Sequence, residues 1–423
     1  MSHDGRGVSH IDGKAVFIED ALPDEEVLLE YRHRHRRYDE ARIASIVLPS
    51  PDRVTPQCKF YGVCGGCSLQ HMDPAAQLRA KEKVLVDNLL HIGRVEPRAV
   101  LPPVTGPQWG YRRKARIGVK YIDKKRDVLV GFRERRSSFI ADIDECKVLH
   151  PSVGLLLTSL RRLIVGLKAY RKIPQIEIAV GDEATGLVFR HLVALDDADL
   201  EALCAFGERH QLQIYLQPAG PDSVTLLWPQ TGSLSYSLPA YDIRLFFQPT
   251  DFIQVNAQIN HGMVDLALAL LDLQPDDSVL DLFCGLGNFS LPSARKAASV
   301  VGIEGDARLV QQACSNARYN QIDNVRFITR DLTGPVMNEP NIQGFDKILL
   351  DPPRTGAKEV LSHIAGSGAS RIVYVSCNPS TLARDAGELV HRYGYALTQA
   401  GVMDMFPHTS HVESIALFER DTV

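Results

Sequence analysis

Ser278-Val-Leu-Asp-Leu-Phe-Cys-Gly-Leu-Gly-Asn-Phe-Ser290 reads as a buried strand that runs into a glycine turn and then a helix. The pattern continues downstream. Apolar runs at Ser299–Ile303, Val325–Ile328, Lys347–Leu350 and Arg371–Val375 alternate with helical segments centred on Leu309–Tyr319, Lys358–His363 and Thr381–Tyr393. Strands apolar on both faces and separated by helices predict an α/β, doubly wound, mostly parallel sheet. Two closing strands, Tyr395–Val402 and Ser414–Phe418, are expected to form a final hairpin.

Upstream of residue 278 the organisation differs. Lys14–Ile18, Glu26–Glu30 and Ala41–Val47 read as short strands punctuated by Gly and Pro, a pattern that suggests a small β-barrel. Asp73-Pro74 is a helix start, and Leu78, Val84, Leu85, Leu89 and Leu90 recur at helical spacing until Gly93. From about 111 to 245 strands dominate, with helical candidates at Val153–Ala169 and Asp197–His210. Gln254–Leu273 begins extended and becomes an amphipathic helix.

The glycine turn points to a nucleoside-bearing ligand, since such sheets bind ligands at the carboxyl ends of their strands. Glu304, ending the second strand, is placed to accept hydrogen bonds from two ribose hydroxyls. A dinucleotide site needs a third glycine where this chain has Ser290. S-adenosylmethionine carries no pyrophosphate and needs only the close approach that Gly285 and Gly287 allow. Asp331 and Asp351 end the third and fourth strands at the same rim; for Asp331 a simple helix-cap role stays open. Asp351-Pro-Pro-Arg354 resembles the turn of amino-group methyltransferases, but Arg354 stands where an aromatic residue would stack on the base. No cysteine lies in this turn, as a cytosine C5-methyltransferase would require. Both departures point to uracil.

Tyr374-Val-Ser-Cys-Asn-Pro379 supplies the missing chemistry. Uracil C5 is too weakly nucleophilic to take a methyl group unaided. A thiolate added at C6 makes C5 enolate-like, and a base must then remove the C5 proton so that the thiol can leave. Cys377, between a strand and a helix start, is the candidate nucleophile, with helix N-terminal amides expected to favour the anion. Glu413, in the loop before the last strand, is the candidate base; Asp351 and His411 are contenders.

Cys58, Cys64, Cys67 and a distant Cys146 form a four-thiolate set without interleaved histidine, suited to zinc or an iron–sulfur cluster. The five-residue gap between Cys58 and Cys64 is less typical of zinc. Eight cysteines and no apolar run of membrane-spanning length fit a reducing compartment, and Met1-Ser-His-Asp-Gly5 lacks a signal-peptide core, so a cytoplasmic protein is expected. Net charge is −4, yet eleven Lys or Arg fall between 111 and 136, and Arg32–Arg37 is a second basic cluster; both are expected to contact phosphates. Phe252 is either a stacking partner for an extruded base or a core residue. Nothing indicates a membrane or an obligate protein partner.

Taken together, these residues resemble the bacterial 23S rRNA (uracil-C5)-methyltransferases of the RlmD type, over nearly the whole length. Gly5-Arg-Gly-Val8 through Ala21-Leu-Pro-Asp-Glu-Glu26 resembles the start of that family's TRAM domain, an RNA-binding barrel of OB-like form. The resemblance implies three units: the barrel at 1–50, a central α+β iron–sulfur domain at 51–250, and a Rossmann-like class I methyltransferase domain at 251–423. It makes Cys58, Cys64, Cys67 and Cys146 ligands of a [4Fe-4S] cluster. Gln254, Phe283, Asn288, Glu304, Asp331 and Asp351 become S-adenosylmethionine and substrate contacts, Cys377 the nucleophile and Glu413 the base. Some members have Asn at the position of Asp331. The related tRNA enzyme lacks both the cluster cysteines and the barrel, which favours 23S rRNA, at the uridine numbered 1939, as the partner. Rival readings are a tRNA or other rRNA uracil methyltransferase and a non-catalytic RNA-binding assembly factor.

Overall fold

The computed structural model describes residues 1–332 and 344–420. Four strands, β1 (Gly7–Ile11), β2 (Lys14–Glu19), β3 (Glu26–Arg34) and β4 (Tyr38–Leu48), form an N-terminal sheet ordered β1-β2-β4-β3. Its small core is Val16, Ile18, Ala21 and Ala41. Helix α1 (Pro74–Asn88) starts as the sequence predicts: the Asp73 carboxylate accepts from the Ala75 amide at 2.9 Å, and proline fills the first position. It runs into a π-turn ending at Gly93, where the chain passes so close to a later helix that a Cβ on Gly93 would lie 2.4 Å from the Ala383 carbonyl oxygen. Strand β5 (Ala99–Val100) follows.

A second sheet of six strands comprises β6 (Lys114–Ile122), β7 (Asp127–Gly131), β8 (Gln175–Val180), β9 (Thr185–Arg190), β10 (Leu212–Gln217) and β11 (Thr225–Trp228), in the order β11-β10-β9-β8-β6-β7. The helix expected over Val153–Ala169 is broken into α2 (Pro151–Gly154) and α3 (Leu157–Gly166), while α4 (Asp197–His210) matches its expected bounds. Strands β12 (Leu234–Leu238) and β13 (Ile243–Phe247) pair as a separate hairpin, followed by α5 (Ala257–Leu271).

The third sheet holds β14 (Ser278–Leu282), β15 (Ser299–Glu304), β16 (Val325–Thr329), β17 (Lys347–Leu350), β18 (Arg371–Ser376), β19 (Ala396–Met403) and β20 (Glu413–Glu419). Between them run α6 (Ser290–Ala294), α7 (Ala307–Tyr319), α8 (Leu361–Gly366) and α9 (Pro379–His391). Strand order is β16-β15-β14-β17-β18-β20-β19-β5. The first five are mutually parallel, β20 and β19 close the sheet as the expected antiparallel hairpin, and β5 adds a parallel edge that the sequence did not announce. Alternate residues feed two cores: Val279, Leu349, Val373 and Leu417 face α5, whereas Leu280, Ile348, Tyr374 and Phe418 face α8, α9 and α1. Burial on both faces is why these strands read as continuous apolar runs.

One polar device ties the β12–β13 hairpin to this sheet. Asn316 and Asn320, one turn apart on α7, accept from the Phe246 and Arg244 amides at 2.9 and 2.8 Å and donate back to the same residues' carbonyls. A helix advances about 6 Å in four residues and a strand about 6.6 Å in two, so the two amide side chains stand in for a neighbouring strand. Asn316 also donates to the Leu286 carbonyl inside the glycine turn at 3.3 Å. Replacing the fully buried Asn316 with Ala would orphan these groups; urea denaturation of Asn316→Ala should show a loss of about 2–3 kcal/mol.

Candidate active site

β18 and β20 run antiparallel with Ser376 opposite Ser414, and the Ser414 hydroxyl donates to the Ser376 carbonyl at 3.0 Å. One residue beyond that last pair stand Cys377, in the bend after β18, and Glu413, and the Glu413 charge acts on the Cys377 thiol. Glu413 is not in a loop, as the sequence suggested: it is the first residue of β20, paired with Met403 and only 3 % exposed. Burial, then the neighbouring Asp351, pushes its carboxyl well above the usual range, while Arg354 opposes the shift. Asp351 itself is pushed up to about 7 by burial. The Cys377 thiol rises to about 11, first through burial and then through Glu413 and Asp351, with Arg354 pulling it down by charge and a hydrogen bond. Cys377, Glu413, Asp351 and Arg354 thus form one electrostatic cluster.

The helix amides expected to favour the thiolate are largely committed. Pro379 has none, the Asn378 amide bonds the Ser376 hydroxyl, and the Ser380 amide bonds the Asn378 side chain. Arg354 takes over that part, and its backbone is fixed for it. The Arg354 carbonyl accepts from Asn378 Nδ2 at 2.9 Å and Thr381 Oγ1 at 3.2 Å, and Arg384 donates to the Thr355 carbonyl at 2.9 Å. The fully buried Asp385 receives the Ala357 amide and the Tyr374 hydroxyl at 2.8 and 2.7 Å. Gly356, at φ +84° and with Asp385 packed where a Cβ would sit, makes the turn possible. The odd basic residue after two prolines was the sequence signal for Arg354; its meaning needed the fold.

At the glycine turn, Phe283 takes φ +65°, a left-handed conformation costly for an aromatic residue and held by paired amides of Phe283 and Cys284 on the Ile303 carbonyl. Glu304 accepts from the Gly285 amide at 3.1 Å and the Asp306 amide at 3.0 Å, which fixes both carboxylate oxygens at the rim. Asp281, beneath, is pushed up to about 7 by burial although Ser290 donates to it at 2.5 Å; Asp351 and Glu304 raise it further. Asn288 exchanges amide hydrogen bonds with Asn260 at 2.9 and 3.0 Å and accepts from the Tyr236 hydroxyl, so its side chain is engaged in the protein. Gln254 lies beside Asn260 in a small crevice, and Asp331 is exposed just past β16. Phe252 is 69 % exposed, which removes its core reading.

Cys58, Cys64, Cys67 and Cys146 line one cavity of about 380 Å³, together with Tyr61, Phe132 and Arg112. Burial pushes Cys64 up to about 11 and Cys67 up to about 12, so the thiols hold their protons unless a cation enters. Thr409, Ser410 and His411, from the loop before Glu413, form part of the same wall. Among the described residues no three His, Cys, Asp or Glu are close enough to hold a single metal ion. Of the eleven basic residues at 111–136, Arg113, Lys114, Arg116, Lys125, Arg135 and Arg136 are in ion pairs within the protein. The basic strip is therefore thinner than its composition suggests.

Comparison with known proteins agrees with this geometry. The family model for tRNA (Uracil-5-)-methyltransferase matches residues 230–421. The 23S rRNA (uracil(1939)-C(5))-methyltransferase RlmD of Alkalilimnicola ehrlichii is 53 % identical over 423 residues, covering 100 % of this chain and 95 % of that protein. The protein of the same name from Nitrosococcus oceani is 54 % identical, covering 99 % and 94 %. The chain belongs to the RlmD family. Among solved structures, the Pyrococcus abyssi tRNA (uracil-54, C5)-methyltransferase in complex with S-adenosyl-L-homocysteine superposes with a TM-score of 0.73 at 24 % identity, covering 98 % of this chain and 100 % of that one. That likeness extends the class I methyltransferase fold to the third sheet of this RlmD-family chain.

Within this RlmD-family site Arg354 acts on Cys377 through both charge and a hydrogen bond. Arg354→Met should slow iodoacetamide alkylation of Cys377 by about threefold to tenfold at pH 8, followed peptide by peptide by mass spectrometry. An unchanged rate would remove Arg354 from the nucleophile's environment.

Proposed function

We propose that this protein transfers a methyl group from S-adenosylmethionine to C5 of a uridine in 23S rRNA. The observation that carries the reading is the cluster that Cys377 forms with Glu413, Asp351 and Arg354 just past the end of the β18–β20 pairing. Bound S-adenosylmethionine would supply an electrophilic methyl group on a cationic sulfonium. Gln254, Phe283, Asn288, Glu304, Asp331 and Asp351 are the proposed contacts for it and the base. Asn288 would act through its backbone, since its side chain is engaged elsewhere. The Asp281 and Asp351 carboxyls, both pushed up to about 7, would ionise more readily beside a positively charged ligand.

In this reading Cys377 attacks C6, leaving the electron pair on C5, which takes the methyl group. Glu413 then removes the C5 proton, the pair re-forms the C5–C6 double bond, and the Cys377 sulfur leaves. A buried carboxylate with a raised pKa is a stronger base than a solvated one, as that proton transfer requires. The target base must leave its stack at a cost of a few kcal/mol, and the exposed Phe252 is placed to receive it. We assign phosphate contacts to Arg32–Arg37 and to those basic residues of 111–136 that form no ion pair among the described residues. Residues 1–50 are read as the TRAM barrel, 51–250 as the central domain and 251–423 as the catalytic domain. Among the described residues no helix is long and apolar enough to cross a membrane, and a cytoplasmic location goes with the rRNA substrate.

The cysteine cavity suits a [4Fe-4S] cluster better than zinc. Four thiolates at about 2.3 Å from one zinc would stand about 4 Å from each other, whereas a cluster spreads them over four irons in a larger volume. Cys58, Cys64, Cys67 and Cys146 would hold it, and what it would supply is a rigid crosslink between the 58–67 loop and Cys146.

Two experiments test this reading. Glu413→Gln, given S-adenosylmethionine and 23S rRNA fragments or tRNA, should accumulate a covalent methylated adduct with rRNA and not with tRNA. Cys377→Ala should form none, and methylation by Cys377→Ala would refute the mechanism. Anaerobically purified protein should contain about four irons with visible thiolate-to-iron absorption. Colourless protein carrying one zinc would count against the cluster.

A further inference from the structure

The hairpin β19–β20 is closed by residues 404–412, a connection longer than the two to five residues usual between antiparallel strands, and Glu413 is the first residue after it. Such a loop would move freely if left to itself. Here it is tethered from outside the hairpin: the Ser68 and Leu69 amides bond the His408 carbonyl, the Ser410 amide bonds the Ser68 hydroxyl, Tyr111 donates to the Pro407 carbonyl and the Asp404 amide bonds the Val104 carbonyl, and helix α1 adds two buried polar side chains. Lys81 and Gln77, one turn apart on the same side of α1, are 2 % and 3 % exposed, although they are charged and polar. Of the apolar residues that recur at helical spacing along this segment, Leu85 and Leu89 are fully buried, and Gln77 and Lys81 extend the inward stripe of Leu85 toward the helix start.

Each of the two grips the loop. Lys81 Nζ pairs with Asp404 at 2.7 Å and donates to the Phe406 carbonyl at 2.9 Å. The Gln77 side-chain oxygen accepts from the His408 amide at 2.9 Å, and its nitrogen donates to the Leu69 and Met72 carbonyls at 3.0 and 2.9 Å. His408 sits at φ +65°, a conformation that persists only where its surroundings hold it, and the Trp109 ring covers its imidazole at 4.0 Å between centroids. Burying an ion pair and a primary amide is costly, and a helix–loop contact made for stability alone is served as well by apolar side chains. What the polar pair adds is direction: hydrogen bonds set where each loop carbonyl and amide stands.

We propose that Gln77 and Lys81 are positioning residues for the base. They fix the 404–412 loop so that the Glu413 carboxylate meets the C5 proton, and they touch neither base nor cofactor. The proposal rests on Glu413 acting as that base.

The test separates methyl transfer from release of the methylated RNA. Gln77→Met keeps the shape of the side chain and loses its hydrogen bonds. The paired change Lys81→Met with Asp404→Leu removes the ion pair without stranding a charge, an exchange that folding tolerates. Full-length variants are compared with Glu413→Gln in single-turnover reactions on an rRNA fragment. Gel-resolved covalent adduct and free methylated RNA are both followed. Methyl transfer should stay within about threefold of the native rate, whereas release should slow about tenfold or more, with adduct accumulating. Gln77→Met combined with Glu413→Gln should release no more slowly than Glu413→Gln alone. If transfer and release fall together without adduct, or release is unchanged, the proposal is overturned. Failure of both variants to fold overturns it too, by making the pair a folding element. If Glu413→Gln itself gives no adduct, the base assignment falls first, and that result is distinguishable from all the others.

Discussion

The site depends on a reversal of direction. Five strands of the third sheet run parallel, β19 keeps their direction, and β20 alone is reversed, lying antiparallel between β18 and β19. A parallel neighbour would bring a strand's far end to this rim only after another helix. The antiparallel insertion instead brings the start of one strand beside the end of another, and so sets a carboxylate from residue 413 next to a thiol from residue 377. The hydrogen bonds of that one pairing, with Ser414 reaching across to Ser376, fix both reactive groups with a single piece of backbone.

Electrostatics then gives the pair its character. Burial raises the carboxyls of Asp281 and Glu413, Asp351 raises both further, and Glu413 and Asp351 together raise the Cys377 thiol. Arg354 is the counterweight, held by a turn that Asn378, Thr381, Arg384 and Asp385 of the α9 segment stitch in place. Because α9 begins two residues after Cys377, the proposed nucleophile, the segment that follows it carries the supports of its cation.

Much of this was legible in the chain. Strands buried on both faces are continuous apolar runs, so β14 to β18 could be read with small errors at their ends, and Cys377 and the four cavity cysteines stood out by residue type and context. What could not be read is whatever depends on a partner far away in sequence. Arg354 looked like a failed stacking residue because its target lies on another strand. Gln77 and Lys81 gave no signal, since Asp404 and His408, which satisfy them, are more than three hundred residues away. Six of the basic residues at 111–136 looked free because the acids that neutralise them come from other strands and loops. The helix expected at Val153–Ala169 breaks at Leu155-Leu156, just after Gly154, a glycine that the apolar pattern ran straight through.

Strand β5 consists of only two residues, yet it covers the outer edge of β19, and Gly93 and Gly387 allow α9 to lie against the π-turn that leads to it. The catalytic sheet is therefore finished by residues synthesised some three hundred positions before its last strand. During translation Ala99 and Val100 have no partner until β19 has emerged, and any truncation beginning near residue 230 would keep every reactive group while leaving a bare strand edge and an uncovered helix face. Such an edge invites pairing with other chains, which makes the full-length protein, and not its catalytic portion, the unit that can stay monomeric.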